Sequence, residues 1–246
     1  MAETAVRPSQ GVAPKPAADE HEARVHLAAA YRLAEKYGMD EIINTHISMR
    51  IPGAPTTFLI KPDELLFDEV KASNLIRLDL AGDALDPTDS PPNRVGAAIH
   101  GAILEARPDV NCVFHTHTPY ATAVSTLECG LLPMSQAALR FYENVAYHDY
   151  GRAGEDALER SRLGEDIGNK AVMLLRNHGV LATGPTAPDA FNAAFYLELA
   201  CQFQVLAQST GQKIILPQHA SRVGPVMRAW PTLLRMLDRE DPSYKE

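Results

Sequence analysis

The chain has 246 residues, 46% of them hydrophobic and 22% charged, with a formal net charge of −8 at pH 7. That composition fills the core of one large or two small domains, while the acidic balance, with no local basic cluster, excludes a phosphate-binding nucleic-acid surface. No apolar stretch approaches the roughly 18 residues that span a bilayer, and MAETAVRPSQGVAPKPAADE, at the start, has no apolar region of the kind a secretory signal needs. Cys112, Cys129 and Cys201 are odd in number and widely spaced, which predicts reduced thiols in or near the core of a cytoplasmic protein.

Residues 1–18 are mostly Ala, Pro and small polar residues with nothing to bury, which predicts a disordered arm. Asp19 can cap a helix over 20–37, with Val25, Ala28, Tyr31, Leu33 and Ala34 on its apolar stripe and Gly38 ending it. HISMRI (46–51) and LIRLDL (75–80) alternate as half-buried strands do, and TFLI (57–60) follows a turn with Pro and Gly. AGDALDPTDSPPN (81–93) is turn chemistry throughout. Asn93 opens a helix over 94–107 that Pro108 stops, and VNCVF (110–114) is a short apolar strand. A helix over 119–127, a strand at VAYHD (145–149) and a helix over 154–168 follow. AVMLL (171–175) and GVLAT (179–183) read as buried strands before a long helix over 187–210. With no repeat and no linker, residues 19–215 make one α/β domain. Residues 216–246 form a C-terminal extension expected to pack on a neighbouring subunit.

His115 and His117 follow the apolar run as an H-x-H pair, and in extended chain their side chains leave the same face. His178, in LLRNHGV, ends another apolar strand, with Gly179 permitting a sharp turn. Three imidazoles meeting at two strand ends would bind a divalent transition metal and leave a position open for substrate. Spacing alone equally allows two half-buried strand-edge histidines and a turn residue.

In this order, NTHISMR (44–50), IHGAILEARPDVNCVFHTHTPYATAVS (99–125), GLLPMSQAAL (130–139) and LLRNHGVLATG (174–184) resemble the class II aldolase/adducin head-domain family over roughly residues 20–212. The resemblance implies a single three-layer α/β domain whose central sheet, mainly antiparallel or mixed, is covered by helices. It also implies homotetramers with active sites between subunits. By position, His115, His117 and His178 become the ligands of a divalent metal, Zn(2+) first, with Mn(2+) or Fe(2+) as alternatives. Such a metal stabilises a carbanion conjugated to a carbonyl, which serves aldol cleavage and decarboxylation alike.

Departures from the family narrow the chemistry. Its sugar-phosphate aldolases carry Ser-Ser-Glu just before the second helix, where Arg94, Val95 and Gly96 stand here, so the acid/base glutamate is missing. The phosphate-binding turn falls at KPDEL (61–65), with two carboxylates that repel phosphate, and a phosphate-contacting asparagine is replaced by His46. The expected enzyme is therefore a carbon–carbon lyase acting on a small non-phosphorylated hydroxy- or oxo-carboxylic acid. Arg94 and Lys61 are candidates to hold its carboxylate, and His46 and Tyr142 to move a proton. A solvated charge or a packed ring is the alternative for each. A non-catalytic adducin-like interaction module and an Fe(II) oxygenase on the same scaffold are the other expectations.

Overall fold

A computed structural model describes residues 15–151, 157–222 and 228–246, so the expected arm lies outside the described residues except for 15–18. Helix α1 (Glu20–Lys36) starts where the Asp19 side chain accepts from the Glu22 amide, and it ends ahead of Gly38, whose φ of +65° suits glycine. Strands β1 (His46–Ile51), β2 (Ala54–Ile60) and β3 (Ile76–Asp79) follow as an antiparallel meander. Helix α2 (Arg94–Ala106) is capped by the Asn93 side chain, which accepts from the Gly96 amide. Then come β4 (Cys112–Thr116), α3 (Pro119–Ser125), α4 (Gln136–Leu139), β5 (Val145–His148) and α5 (Ala157–Ile167). Strands β6 (Val172–Leu175) and β7 (Gly179–Gly184) precede the long α6 (Ala187–Gln208) and the final α7 (Trp230–Glu240).

Among the described residues, seven strands form one sheet in the order β3-β2-β1-β4-β7-β6-β5, antiparallel except between β5 and β6. The mainly antiparallel or mixed sheet expected from the resemblance is the one observed. Alternation along β1 divides its side chains between two layers. Ile47, Met49 and Ile51 pack with α1 and α6, and the intervening His46, Ser48 and Arg50 are also buried. Phe58, Ile60 and Leu78 pack with Ile99 and Ile103 of α2 and Leu163 of α5 in the other apolar cluster. Strand β1 is therefore covered on both faces, which explains why all six residues are buried.

Two polar residues lock this sandwich. The Arg50 guanidinium donates to the carbonyls of Pro55 in β2, Leu104 in the last turn of α2 and Val110 ahead of β4, and so takes up one of the carbonyls that the end of α2 leaves unpaired. Tyr31 of α1 donates its hydroxyl to the Ile47 carbonyl (2.5 Å) and accepts from the amides of Ile47 (2.8 Å) and Lys61 (3.3 Å). Tyr31→Phe strands two buried backbone groups of Ile47 and should lower the unfolding free energy by about 1–3 kcal/mol; chemical denaturation measures this, and an unchanged midpoint would contradict the role given to the hydroxyl.

Several boundaries differ from expectation. The strand expected at 110–114 runs over Cys112–Thr116, which places His115 inside it rather than past its end. Cys112 and Cys201 are buried as expected, but Cys129 is exposed, lying in the link between α3 and α4. The C-terminal residues lie against their own chain: Arg32 and Lys36 of α1 pair with Asp241 and Glu240, and Tyr244 is buried. Among the described residues, no helix is long and apolar enough to cross a membrane.

Candidate metal centre

The sheet brings three histidines together at one end. His115 and His117 leave one face at the end of β4, and antiparallel pairing of β4 with β7 sets His115 opposite Leu181. His178 enters from the turn between β6 and β7. That turn is tight: Asn177 has a φ of +60°, and a Cβ on Gly179 would lie 2.6 Å from the Thr116 carbonyl oxygen and 2.7 Å from the His117 ring. Glycine at 179 is what lets the two strand ends close. The Nε2 atom of His117 lies 3.0 Å from Nε2 of His115 and 3.0 Å from Nε2 of His178.

The outer nitrogens fix how these rings are protonated. His115 Nδ1 donates to the Val180 carbonyl (3.1 Å), and His117 Nδ1 donates to the Glu41 carboxylate (2.7 Å). Both rings, when neutral, then turn bare Nε2 lone pairs toward a common point. Lone pairs at that separation repel unless a cation lies among them. Tetrahedral zinc, with bonds of about 2.0–2.1 Å, holds its nitrogen ligands about 3.3 Å apart, so the donor set fits a divalent ion. Burial, followed by neighbouring histidines, pushes the His115 pKa well below its ordinary value; burial and then His117 push His178 down to about 4. Both rings are thus neutral and ready to ligate at physiological pH.

His46 stands beside this cluster. It is paired across the strands with His115, and the two ring centroids are 5.0 Å apart. His46 Nδ1 bonds His100 Nε2 (2.8 Å), and His100 Nδ1 bonds the Ser48 hydroxyl (2.5 Å). A Cβ built on Gly96 would lie 2.3 Å from His46 Nε2. That nitrogen therefore faces the first turn of α2, and any side chain at 96 would displace the ring. Arg94, the first residue of α2, is exposed at the same helix end.

The other two candidates are placed elsewhere. Lys61 was expected to hold a carboxylate, but its buried ammonium donates to the carbonyls of Ile43 (3.2 Å), Pro62 (3.2 Å) and Asp63 (2.9 Å), which takes all three protons. Tyr142 precedes β5, whose far end, at His148, is the one level with Leu175 and the turn to His178. Within its own chain Tyr142 is thus at the opposite end of the sheet from the histidines.

Three polar features were not legible in the sequence. Glu41 lies in a link with no periodicity and reaches His117, 76 residues away. The His46–His100–Ser48 chain joins a strand to a helix 54 residues on. Buried His148 is held between Asp166 (2.7 Å) and buried Glu159 (2.8 Å), although the helix carrying both acids reads simply as charged on one side.

Comparison with known proteins agrees with this fold. The profile of the class II aldolase and adducin N-terminal domain matches residues 25–205. An aldolase II superfamily protein from Pseudomonas syringae, solved by crystallography, is 43% identical, with a TM-score of 0.87 over 93% of this chain and 97% of that one. An L-fuculose 1-phosphate aldolase from Glaciozyma antarctica is 26% identical, with a TM-score of 0.81 over 95% and 97% of the two chains. Alpha-adducin from Rattus norvegicus is 43% identical over 185 residues, which cover 74% of this chain and 25% of that protein.

Proposed function

The chain belongs to the class II aldolase and adducin N-terminal domain family, and from that premise we propose that it is a divalent-metal carbon–carbon lyase. Its substrate in this reading is a small non-phosphorylated hydroxy- or oxo-carboxylic acid, cleaved in aldol fashion or decarboxylated. The observation that carries the reading is the convergence of three Nε2 atoms, from His115, His117 and His178, beside a fourth, non-converging histidine, His46. Zinc is the first choice of ion, and manganese and iron suit the same donors. When bound, such an ion polarises a carbonyl or hydroxyl oxygen next to the bond that breaks.

The protein's own groups supply the rest. His46 Nε2 bears either a lone pair or a proton, according to which way the Ser48–His100–His46 chain is polarised. Either neutral form is available, and burial, then His100, keeps the His46 pKa well below its ordinary value, so the ring handles a proton without storing charge. Arg94 and the amides in the first turn of α2 offer positive potential for a carboxylate at the helix end that His46 faces. Lys61 has no free proton to offer and is left out of substrate binding. The L-fuculose 1-phosphate aldolase likeness favours aldol chemistry, while the exposed Arg94 and Val95 and buried Gly96 provide neither serine hydroxyls nor a carboxylate at the start of α2. Tyr142 keeps a proton-donating role only toward the site of a neighbouring copy, as in the expected tetramer. Phe203 and Leu206 of α6 and Ile215 and Leu216 beyond it, all exposed, give that assembly apolar surface to cover. The three unpaired thiols suit the reducing cytoplasm.

The test is a screen of the zinc-, manganese- and iron-loaded protein against hydroxy- and oxo-acids for CO2 or aldehyde release, with sugar phosphates alongside. His46→Gln should lower turnover of the acid found by about 10²–10⁴-fold while metal content stays at the wild-type level. Unchanged turnover would remove His46 from the reaction, and efficient cleavage of sugar phosphates would overturn the substrate class. A second reading, a non-catalytic interaction module, draws on the likeness to alpha-adducin. It predicts no turnover with any metal, yet gives no reason for three imidazoles aimed at one point.

A further inference from the structure

The link between α1 and β1 contains a strained turn. Ile42 has a φ of +53°, a left-handed conformation that β-branched side chains adopt rarely. The Cβ of an L residue crowds the following carbonyl oxygen in that conformation, and because Ile42 is 68% exposed, burial of its side chain offsets little of the strain. The turn is tethered on both sides of the strained residue. The Asn44 amide donates to the Glu41 carbonyl (2.9 Å), and buried Lys61 donates to the Ile43 carbonyl (3.2 Å). The Glu41 side chain, aimed from this turn, contacts His117 Nδ1 at 2.7 Å.

A half-exposed carboxylate needs no strained backbone to find a surface partner, and a strained conformation persists only where its surroundings over-determine it. Resting on the metal reading above, we propose that Glu41 is a positioning residue for the metal centre, with the turn at Ile42, strutted by Lys61, as the device that aims it. Acceptance of the Nδ1 proton holds His117 in the tautomer that leaves Nε2 bare. The carboxylate also makes that nitrogen a stronger donor and offsets one unit of the ion's charge. Lys61 gains a task through this assignment: its ammonium is the strut that fixes residue 43, and so the direction in which residue 41 points.

Cobalt(II), added to protein stripped of metal, is the probe, read by its visible d–d absorption and apparent dissociation constant. Glu41→Gln keeps an acceptor but removes the charge, and should weaken cobalt binding by about 10–100-fold with an altered absorption envelope. Ile42→Pro keeps the carboxylate but confines φ near −65°, and should reproduce much of that loss. Ile42→Gly, which accepts a positive φ, should bind cobalt as the wild type does. Circular dichroism shows which variants fold, and the exposure of Glu41 keeps Glu41→Gln informative even if the proline variant does not. Wild-type cobalt affinity and spectrum in Glu41→Gln would overturn the positioning role and leave the metal site standing. A wild type that takes up no cobalt would overturn the metal reading and this inference with it.

Discussion

His178→Ala should give a folded protein that no longer retains a divalent ion and has no measurable lyase activity. Its effect on metal affinity should exceed the roughly 10–100-fold that loss of a mere supporting group costs, because a direct ligand disappears. The fold should survive. The imidazole is only partly buried and sits in a surface turn, where the backbone requirements fall on Asn177 and Gly179 rather than on residue 178. Thermal stability of the metal-free variant should therefore stay close to that of metal-free wild type, within about 1 kcal/mol. Metal analysis after dialysis, together with a melt, reads both quantities. Loss of the fold along with the metal would mean that the turn, not the ligand, is what His178 supports.

Acid should destabilise the metal-free protein already at pH values above those at which carboxylates titrate. Burial drives His100 down to about 3 and His178 to about 4, and holds His46 and His115 well below the ordinary value of 6.5. In the unfolded chain all four take up a proton near pH 6.5, whereas in the folded chain they do not. Unfolding is thus coupled to proton uptake, so stability falls as pH falls from about 6.5 toward 4. The decline levels off only as each folded value is reached. A fully buried ring such as His100 contributes up to about 1.4 kcal/mol per pH unit in that window. Urea midpoints between pH 7.5 and 5 should fall steadily, and zinc should raise the upper end while steepening the decline, since protons and metal compete for the same Nε2 atoms. A flat profile over this range would show that the histidines are solvated in the native protein.

Local signals and long-range ones were legible to different degrees. Asp19 and Asn93 announced their helices, because a cap is written within three residues of what it caps. The histidine cluster was legible from its placement at two strand ends and from the order of sequence blocks around it, even though His117 and His178 lie 61 residues apart. Lys61 looked like a substrate anchor because an unpaired lysine carries no mark of the backbone carbonyls around it. Only the fold shows that Ile43, Pro62 and Asp63 surround its ammonium. His46 and His100 fell in separate elements, and their contact depends on how α2 crosses β1. Glu41 was invisible for a plainer reason: acidic residues in polar links are usually solvated, and nothing local distinguishes one that turns inward.

Calorimetric titration of zinc into metal-free wild type, repeated with His178→Ala, tests the central claim most directly. One zinc ion bound per wild-type chain, and none retained by the variant, is the result expected of a three-histidine centre built from His115, His117 and His178. Absence of binding to wild type, or full occupancy in the variant, would contradict it.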